Sequence, residues 1–245
     1  SEFRRGVGLV AEADQDSGGF DIDVNASVFE TNIRVLGGLL SAHGLADYDE
    51  YDGSLLELAV DLGNRLLPAF ETKTEIPYGT VNLMYGVPHG ATRVASLAGG
   101  GSLSLEMCVL SAFTGDERYG DKAMRASRAL YQRRSKTTGL VGKHLNVQTG
   151  KWIESLSGIG SNSDSFYEYL AKMYSLFGDT ESWNMFVDMY QAIMSHSKRG
   201  DWYADVDMFT GKARRHHFEN LQPFWPGLQA MAVDVRRAAR TLNAM

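Results

Sequence analysis

Residues 27–42 read S-V-F-E-T-N-I-R-V-L-G-G-L-L-S-A. Val28, Ile33, Val35, Leu36, Leu39 and Leu40 recur at helical spacing and give the stretch one apolar face. Ser27 is a fitting N-cap, and Glu30 three residues later completes the pattern of a capping box. Glu30 and Arg34 stand four apart, so a helix puts a carboxylate and a guanidinium side by side near its start. Such a pair is usually a surface ion pair. It can also be an acid held beside a substrate clamp, and the rest of the chain decides how much weight that second reading carries.

Working outward, residues 1 to about 14 have the pattern of a helix end, and 15–25 are polar with Gly18-Gly19, a loop. Asn25-Ala26-Ser27 has the form of a glycosylation sequon. The core helix is expected to end near Gly44, a turn to cover Tyr48–Gly53, and a second helix to run Ser54–Leu67 with Pro68 beyond it. Gly99-Gly100-Gly101 reads as a loop leading into a helix from Ser102 to Phe113, and a further helix follows from about Glu117 to Arg134. Thr114-Gly115-Asp116 supplies a C′ glycine and then a cap.

A repeat then becomes visible. V-N-L-M-Y-G (81–86), L-N-V-Q-T-G (145–150) and V-D-M-F-T-G (206–211) share one shape and recur roughly every 60 residues. Each is followed by a loop and a helix, from Ser102, from Ser163 and from about Glu219. The turns F-T-G-D-E-R-Y (113–119) and L-F-G-D-T-E-S-W (176–183) match as well. The unit is helix, tight turn, helix, small β-hairpin, loop, and such units bury a face only against their neighbours. The fold class expected is all-α, stacked helix pairs with small hairpins between them.

The first helix of each unit carries an acid in its opening turns: Glu30, Glu106 and Asp164. An acid there also suits the helix dipole, so each one alone says little. Three in register point to several carboxylates converging on one cavity if the units close into a ring. That suits acid/base work on a neutral, polyhydroxylated substrate, or a metal. A glycosidase of the inverting kind needs two carboxyls about 6.5–9.5 Å apart, one acid and one base. Tyr78, Tyr85, Trp152, Phe166, Tyr167, Trp202, Tyr203, Phe224 and Trp225 could stack on sugar faces or fill the core.

Bulk properties prune the alternatives. The net charge of −6 over 245 residues opposes nucleic-acid binding. No stretch approaches the roughly 20 apolar residues of a membrane span. The lone Cys108 excludes an internal disulfide and reads as a buried thiol. There is no H-E-x-x-H, no P-loop and no G-x-S-x-G elbow, and His216-His217 is a bare pair.

With these motifs in place the chain resembles glycoside hydrolase family 47, the α-1,2-mannosidases, and within it the ER degradation-enhancing α-mannosidase-like proteins. The matching stretches are 27–43, R-L-L-P-A-F (65–70), I-P-Y-G-T-V-N-L-M-Y-G-V (76–87), S-L-S-L-E-M (102–107), F-T-G-D (113–116), G-I-G-S-N-S-D-S-F-Y-E-Y-L (158–170) and F-W-P-G-L-Q (224–229). The resemblance implies an (αα)7 toroid, of which residues 1–245 would be part of one catalytic domain cut at both ends. It implies inverting hydrolysis of α-1,2-linked mannose on the high-mannose N-glycans of misfolded glycoproteins, in the endoplasmic reticulum, with a Ca2+ ion. Carried over by position, Glu30 matches the proton donor, Arg34 a substrate-contacting arginine, Glu106 an active-site acid and Asp164 the acid that positions or activates water. The family's L-R-P-E motif does not occur in this chain, nor does its calcium-binding threonine, so the expectation is no mannosidase turnover and no tight calcium binding by these 245 residues alone. Two other readings stand beside the enzyme: a lectin-like glycan-binding degradation factor, and a plain helical scaffold.

Overall fold

The computed structural model describes residues 2–46 and 51–245. Residues 48–50 of the expected turn at 48–53 lie outside them. Helix α1 (Glu2–Ser17) runs three residues beyond the expected end. The stretch around Glu30 is composite: strand β1 (Asn25–Ser27), α2 (Val28–Glu30), a π-helical segment Thr31–Leu36, then α3 (Gly37–Leu45). The expected single α-helix is therefore corrected in its middle. The Gly37 N–H reaches the Asn32 carbonyl, five residues back, which widens the turn. Ser27 Oγ accepts the Glu30 N–H at 3.3 Å, so half of the capping box forms. The Glu30 side chain turns to Arg34 instead of reaching back.

Helices α4 (Ser54–Leu66), α6 (Ser104–Thr114) and α7 (Arg118–Gln132) follow the expected boundaries closely, α8 (Asp164–Phe177) opens one residue after the expected start, and α9 (Thr180–His196) follows it. Gly115 and Gly178 end α6 and α8 in the left-handed conformation, at φ 74° and 69°, which an L-residue adopts at a cost. Helix α10 (Trp225–Met231) starts later than the sequence indicates, after a 3-10 turn at Gln222–Phe224, and α11 (Val235–Ala244) closes the chain.

The helices form a row of pairs. α3 packs on α4, α6 on α7, α8 on α9 and α10 on α11. The first members also touch in succession, α3 with α6, α6 with α8, α8 with α10. One apolar cluster fills the first seams around Leu36, Leu62, Met107 and Tyr119; the other fills the later seams around Leu130, Phe166, Phe186 and Trp225.

The three repeated hexapeptides are hairpin turns of one design. Asn82 Oδ1 accepts the N–H groups of Met84 and Tyr85, Asn146 Oδ1 those of Gln148 and Thr149, Asp207 Oδ1 those of Phe209 and Thr210, all at 2.9–3.1 Å. Each closing glycine, Gly86, Gly150 and Gly211, returns its N–H to the carbonyl of that same Asn or Asp. The side chain mimics a backbone turn, which is why only Asn or Asp holds the second position. In the small sheets β1 pairs with β2 (Thr80–Asn82), β4 (His144–Asn146) lies between β3 (Val94–Ser96) and β5 (Trp152–Glu154), and β9 (Asp205–Asp207) lies between β6 (Leu156–Ser157) and β10 (Ala213–Arg215). The turns lie on the connections that lead into α5 and α6, into α8 and into α10.

The glycine run at 97–101 is not a loop but a short helix, α5 (Leu97–Gly101). Its glycines serve close packing. A Cβ on Gly100 would lie 2.9 Å from Ile76 Cγ2, and one on Gly101 would lie 2.6 Å from Phe166 Cε2. Contrary to the expectation that no stretch approaches a membrane span, residues 97–114 have the length and apolarity of one, but they divide into α5 and α6 and half of them are buried in the core. Cys108 is half-buried, and burial pushes its thiol up to about 11, so it stays protonated.

Candidate functional site

The four residues singled out by the sequence occupy the openings of three successive helices. Glu30 ends the short α2, Arg34 lies in the π-helical segment, Glu106 is in the first turn of α6, and Asp164 opens α8. Glu30 and Arg34 are in direct contact, Arg34 Nε donating to Glu30 Oε2 at 2.5 Å, and both side chains are exposed, at 49% and 72%. π-helical turns are rare and concentrate at functional sites, so finding this pair beside and within one is itself informative.

Glu106 belongs to the buried side of the same segment. Asn32 Nδ2 donates to its Oε2 at 2.7 Å, and the Tyr169 hydroxyl donates to its Oε1 at 2.9 Å. One carboxyl therefore ties the π-helical segment, α6 and α8 together. The close approach needs Gly37, where a Cβ would stand 3.3 Å from Glu106 Cγ. Burial raises the Glu106 carboxyl above its ordinary value, and the Tyr169 and Asn32 donors only partly offset it. Burial and the Glu106 charge together raise the Tyr169 phenol strongly, which keeps it a donor.

Asp164 is raised as well, first by burial and then by the negative fields of Glu168 and Glu219; the Ser165 backbone N–H works against this. Ser165 Oγ lies 2.8 Å from Ser102 Oγ, so the first turn of α8 is fastened to the residues entering α6. The loop before Asp164 is held from outside. The Ser161 N–H and hydroxyl donate to Glu219 at 2.5 and 2.9 Å. Burial pushes Glu219 up, but the two Ser161 donors, Lys143 and His217 outweigh it and hold the carboxyl below its ordinary value. Glu219 is thus an ionised neighbour of an acid whose proton is retained to higher pH.

Glu219 escaped the sequence reading because its partner is Ser161, 58 residues away. The one local signal was glycine at 160, where a Cβ would collide with the Glu219 carboxyl. Among the described residues no three His, Cys, Asp or Glu side chains gather to hold a metal ion.

This arrangement of helix pairs has solved counterparts. The alpha-1,2-mannosidase from Trichoderma reesei superposes with a TM-score of 0.75 at 29% identity, over 89% of this chain and 49% of that one. A cellobiose 2-epimerase from Spirochaeta thermophila shares the fold alone, with a TM-score of 0.64 at 10% identity. In sequence the chain is 49% identical to Alpha-mannosidase I MNS4 of Arabidopsis thaliana, over 92% of this chain and 37% of that protein. It is 45% identical to ER degradation-enhancing alpha-mannosidase-like protein 2 of Homo sapiens, over 98% of this chain and 42% of that protein. The chain thus spans about two fifths of the length of these curated relatives. The glycosyl hydrolase family 47 model matches residues 1–243, and the chain belongs to that family.

Proposed function

We propose that this chain supplies part of the catalytic domain of an inverting α-1,2-mannosidase that trims high-mannose N-glycans of misfolded glycoproteins in the endoplasmic reticulum. In this reading the row of helix pairs is one arc of an (αα)7 toroid, and residues 1–245 form one unit within it. The observation that carries the proposal is Glu106, which bridges Asn32 and Tyr169 and so joins the segment bearing Glu30 and Arg34 to the helix headed by Asp164. Relatives named as mannosyl-oligosaccharide and ER degradation-enhancing mannosidases support the substrate class and the compartment.

The roles follow from the chemistry of an inverting glycosidase. Glu30 gives its proton to the departing glycosidic oxygen. Asp164, raised by burial and by its acidic neighbours, takes a proton from the water that attacks the anomeric carbon on the opposite face. Arg34 directs its exposed guanidinium to sugar hydroxyls, and Glu106 fixes the relative position of the helix starts. Glu→Gln at position 30 removes the donor while keeping the shape. In a full-length protein that contains this chain, release of free mannose from a high-mannose glycan is expected to be abolished by E30Q and by D164N, while residues 1–245 alone release none; equal release by E30Q excludes Glu30 as the donor.

A second reading is a lectin-like factor that holds glycans without turnover. The 2.5 Å contact of Arg34 Nε with Glu30 Oε2 favours it, because a guanidinium then occupies the oxygen from which a proton donor acts. Glycan binding without mannose release by the full-length wild-type protein would select this reading, whereas binding that survives E30Q with the full-length protein's hydrolysis lost selects the enzyme.

A further inference from the structure

The structure sorts the aromatic residues that the sequence left undivided between sugar contacts and core. Trp225, Phe166, Tyr167 and Tyr203 are buried, while Trp202 remains 44% exposed. Trp202 and Tyr203 form strand β8, which pairs with β7 (Lys198–Arg199), so alternation along the strand turns Tyr203 inward and Trp202 outward. Tyr203 is pinned by Gln229 Nε2, which donates to its hydroxyl at 3.0 Å. The exposed position of Trp202 is therefore set by the sheet and the core beneath it.

Phe218, equally exposed, stands against Trp202 at 83°, with ring centroids 5.6 Å apart. The two rings make an apolar corner. It belongs to a cleft of about 380 Å3 that Arg199, His216 and His217 also line. Arg199 Nη1 donates to the carbonyls of His196 and Lys198 at 2.9 and 2.8 Å, which fixes the guanidinium at the rim. A volume near 380 Å3 falls at the small end of small-molecule sites, and an aromatic surface with a few convergent polar groups is their usual lining.

We propose that this cleft is a second saccharide site, in which one hexose ring of an oligosaccharide packs its C–H face into the Trp202–Phe218 corner and hydrogen-bonds through its hydroxyls to Arg199 and the two histidines. A purely apolar ligand would make no use of the polar atoms that Arg199, His216 and His217 bring to the cleft, and a simple anion would leave the aromatic corner unused. Position supports the same class of ligand. Phe218 immediately precedes Glu219, whose carboxylate holds Ser161 three residues before Asp164. One short segment thus connects the cleft to the candidate reaction site, so a branched or extended glycan can engage both. The proposal rests on the reading of this chain as one that handles mannose oligosaccharides.

The test is NMR of the full chain titrated with a linear α-1,2-linked mannotriose, observing backbone amides and the four tryptophan indole N–H signals. The Trp202 indole is expected to shift saturably, to lose at least about five-fold in apparent affinity in F218A, and to shift unchanged in the E30Q/D164N double variant. In W202A the same ligand should still perturb residues 28–34 and 164–168. Perturbation of those residues with an unmoved Trp202 overturns this proposal and leaves the proposed function standing. No perturbation anywhere removes both. A Trp202 response to inorganic phosphate at lower concentration than to mannotriose makes the cleft an anion site and also overturns the proposal.

Discussion

The Tyr169 hydroxyl donates to Glu106 Oε1 at 2.9 Å, across the seam between α8 and α6. Because Asn32 holds the other oxygen, this bond is one of two that make Glu106 a three-helix tie. Tyr169→Phe removes a hydrogen bond to a carboxyl group that burial has already raised. A loss of about 1–2 kcal/mol in urea unfolding is expected, together with a further rise of the Glu106 carboxyl detectable by NMR titration.

Asp164 carries a raised carboxyl, so the folded state favours its protonated form. The linkage runs accordingly. Its contribution to stability is greatest below the unfolded carboxylate value and declines as pH rises through the raised folded value. Asp164→Asn removes that penalty. At pH 7 the variant is expected to be more stable than wild type by roughly 0.5–1 kcal/mol, allowing for partial exposure, with the advantage vanishing below about pH 3.5. Thermal unfolding across pH 3–8 measures this directly.

Glycine at 160 is required by Glu219, since a Cβ there would stand 2.7 Å from the carboxyl carbon. Gly160→Ala should push Glu219 away from Ser161 and loosen the loop ahead of Asp164. An expected cost of about 1–3 kcal/mol and faster amide exchange at Ser161, with α9 unaffected, would report it.

The repeated hairpin turns offer a matched series. Asn146→Ala deletes the one Oδ1 that accepts from two N–H groups, at 2.9 and 3.0 Å. Each of Asn82→Ala, Asn146→Ala and Asp207→Ala is expected to lower stability by about 1–2 kcal/mol. The Asp207 turn has an additional dependence. Burial would raise this carboxyl, but the Thr210 and Phe209 N–H groups with the Thr210 and Ser155 hydroxyls outweigh it and hold it low. Its contribution is therefore present above the ordinary aspartate value and is lost as pH falls through the depressed one, whereas the asparagine turns are indifferent to acid.

Where a residue's role was local, the sequence was enough to find it. The Asn-or-Asp, glycine hexapeptides carry their own turn chemistry, and the C′ glycines at 115 and 178 carry theirs, so helix pairs and hairpins could be placed from the chain. The acids at 30, 106 and 164 were legible as first-turn residues for the same reason. What failed was non-local. Gly99–Gly101 looked like a loop because glycine's usual message is flexibility, yet Gly100 and Gly101 are small so that Ile76 and Phe166 can approach. The π-helical turn at Thr31–Leu36 has no signature in a 3.6-residue period. Glu219 is defined by a partner far away in sequence, and Trp202 could be told from Trp225 only by burial.

Under the proposed function, the openings of α2, α6 and α8 together bind one mannose-containing ligand. Amide hydrogen exchange of the protein with and without an α-1,2-linked mannose oligosaccharide tests it most directly. Slowed exchange at 28–36, 104–108 and 161–168 together, abolished at all three in D164N combined with Arg34→Ala, is the predicted result. Protection confined to one of these segments, or lying elsewhere while all three stay unchanged, would contradict it.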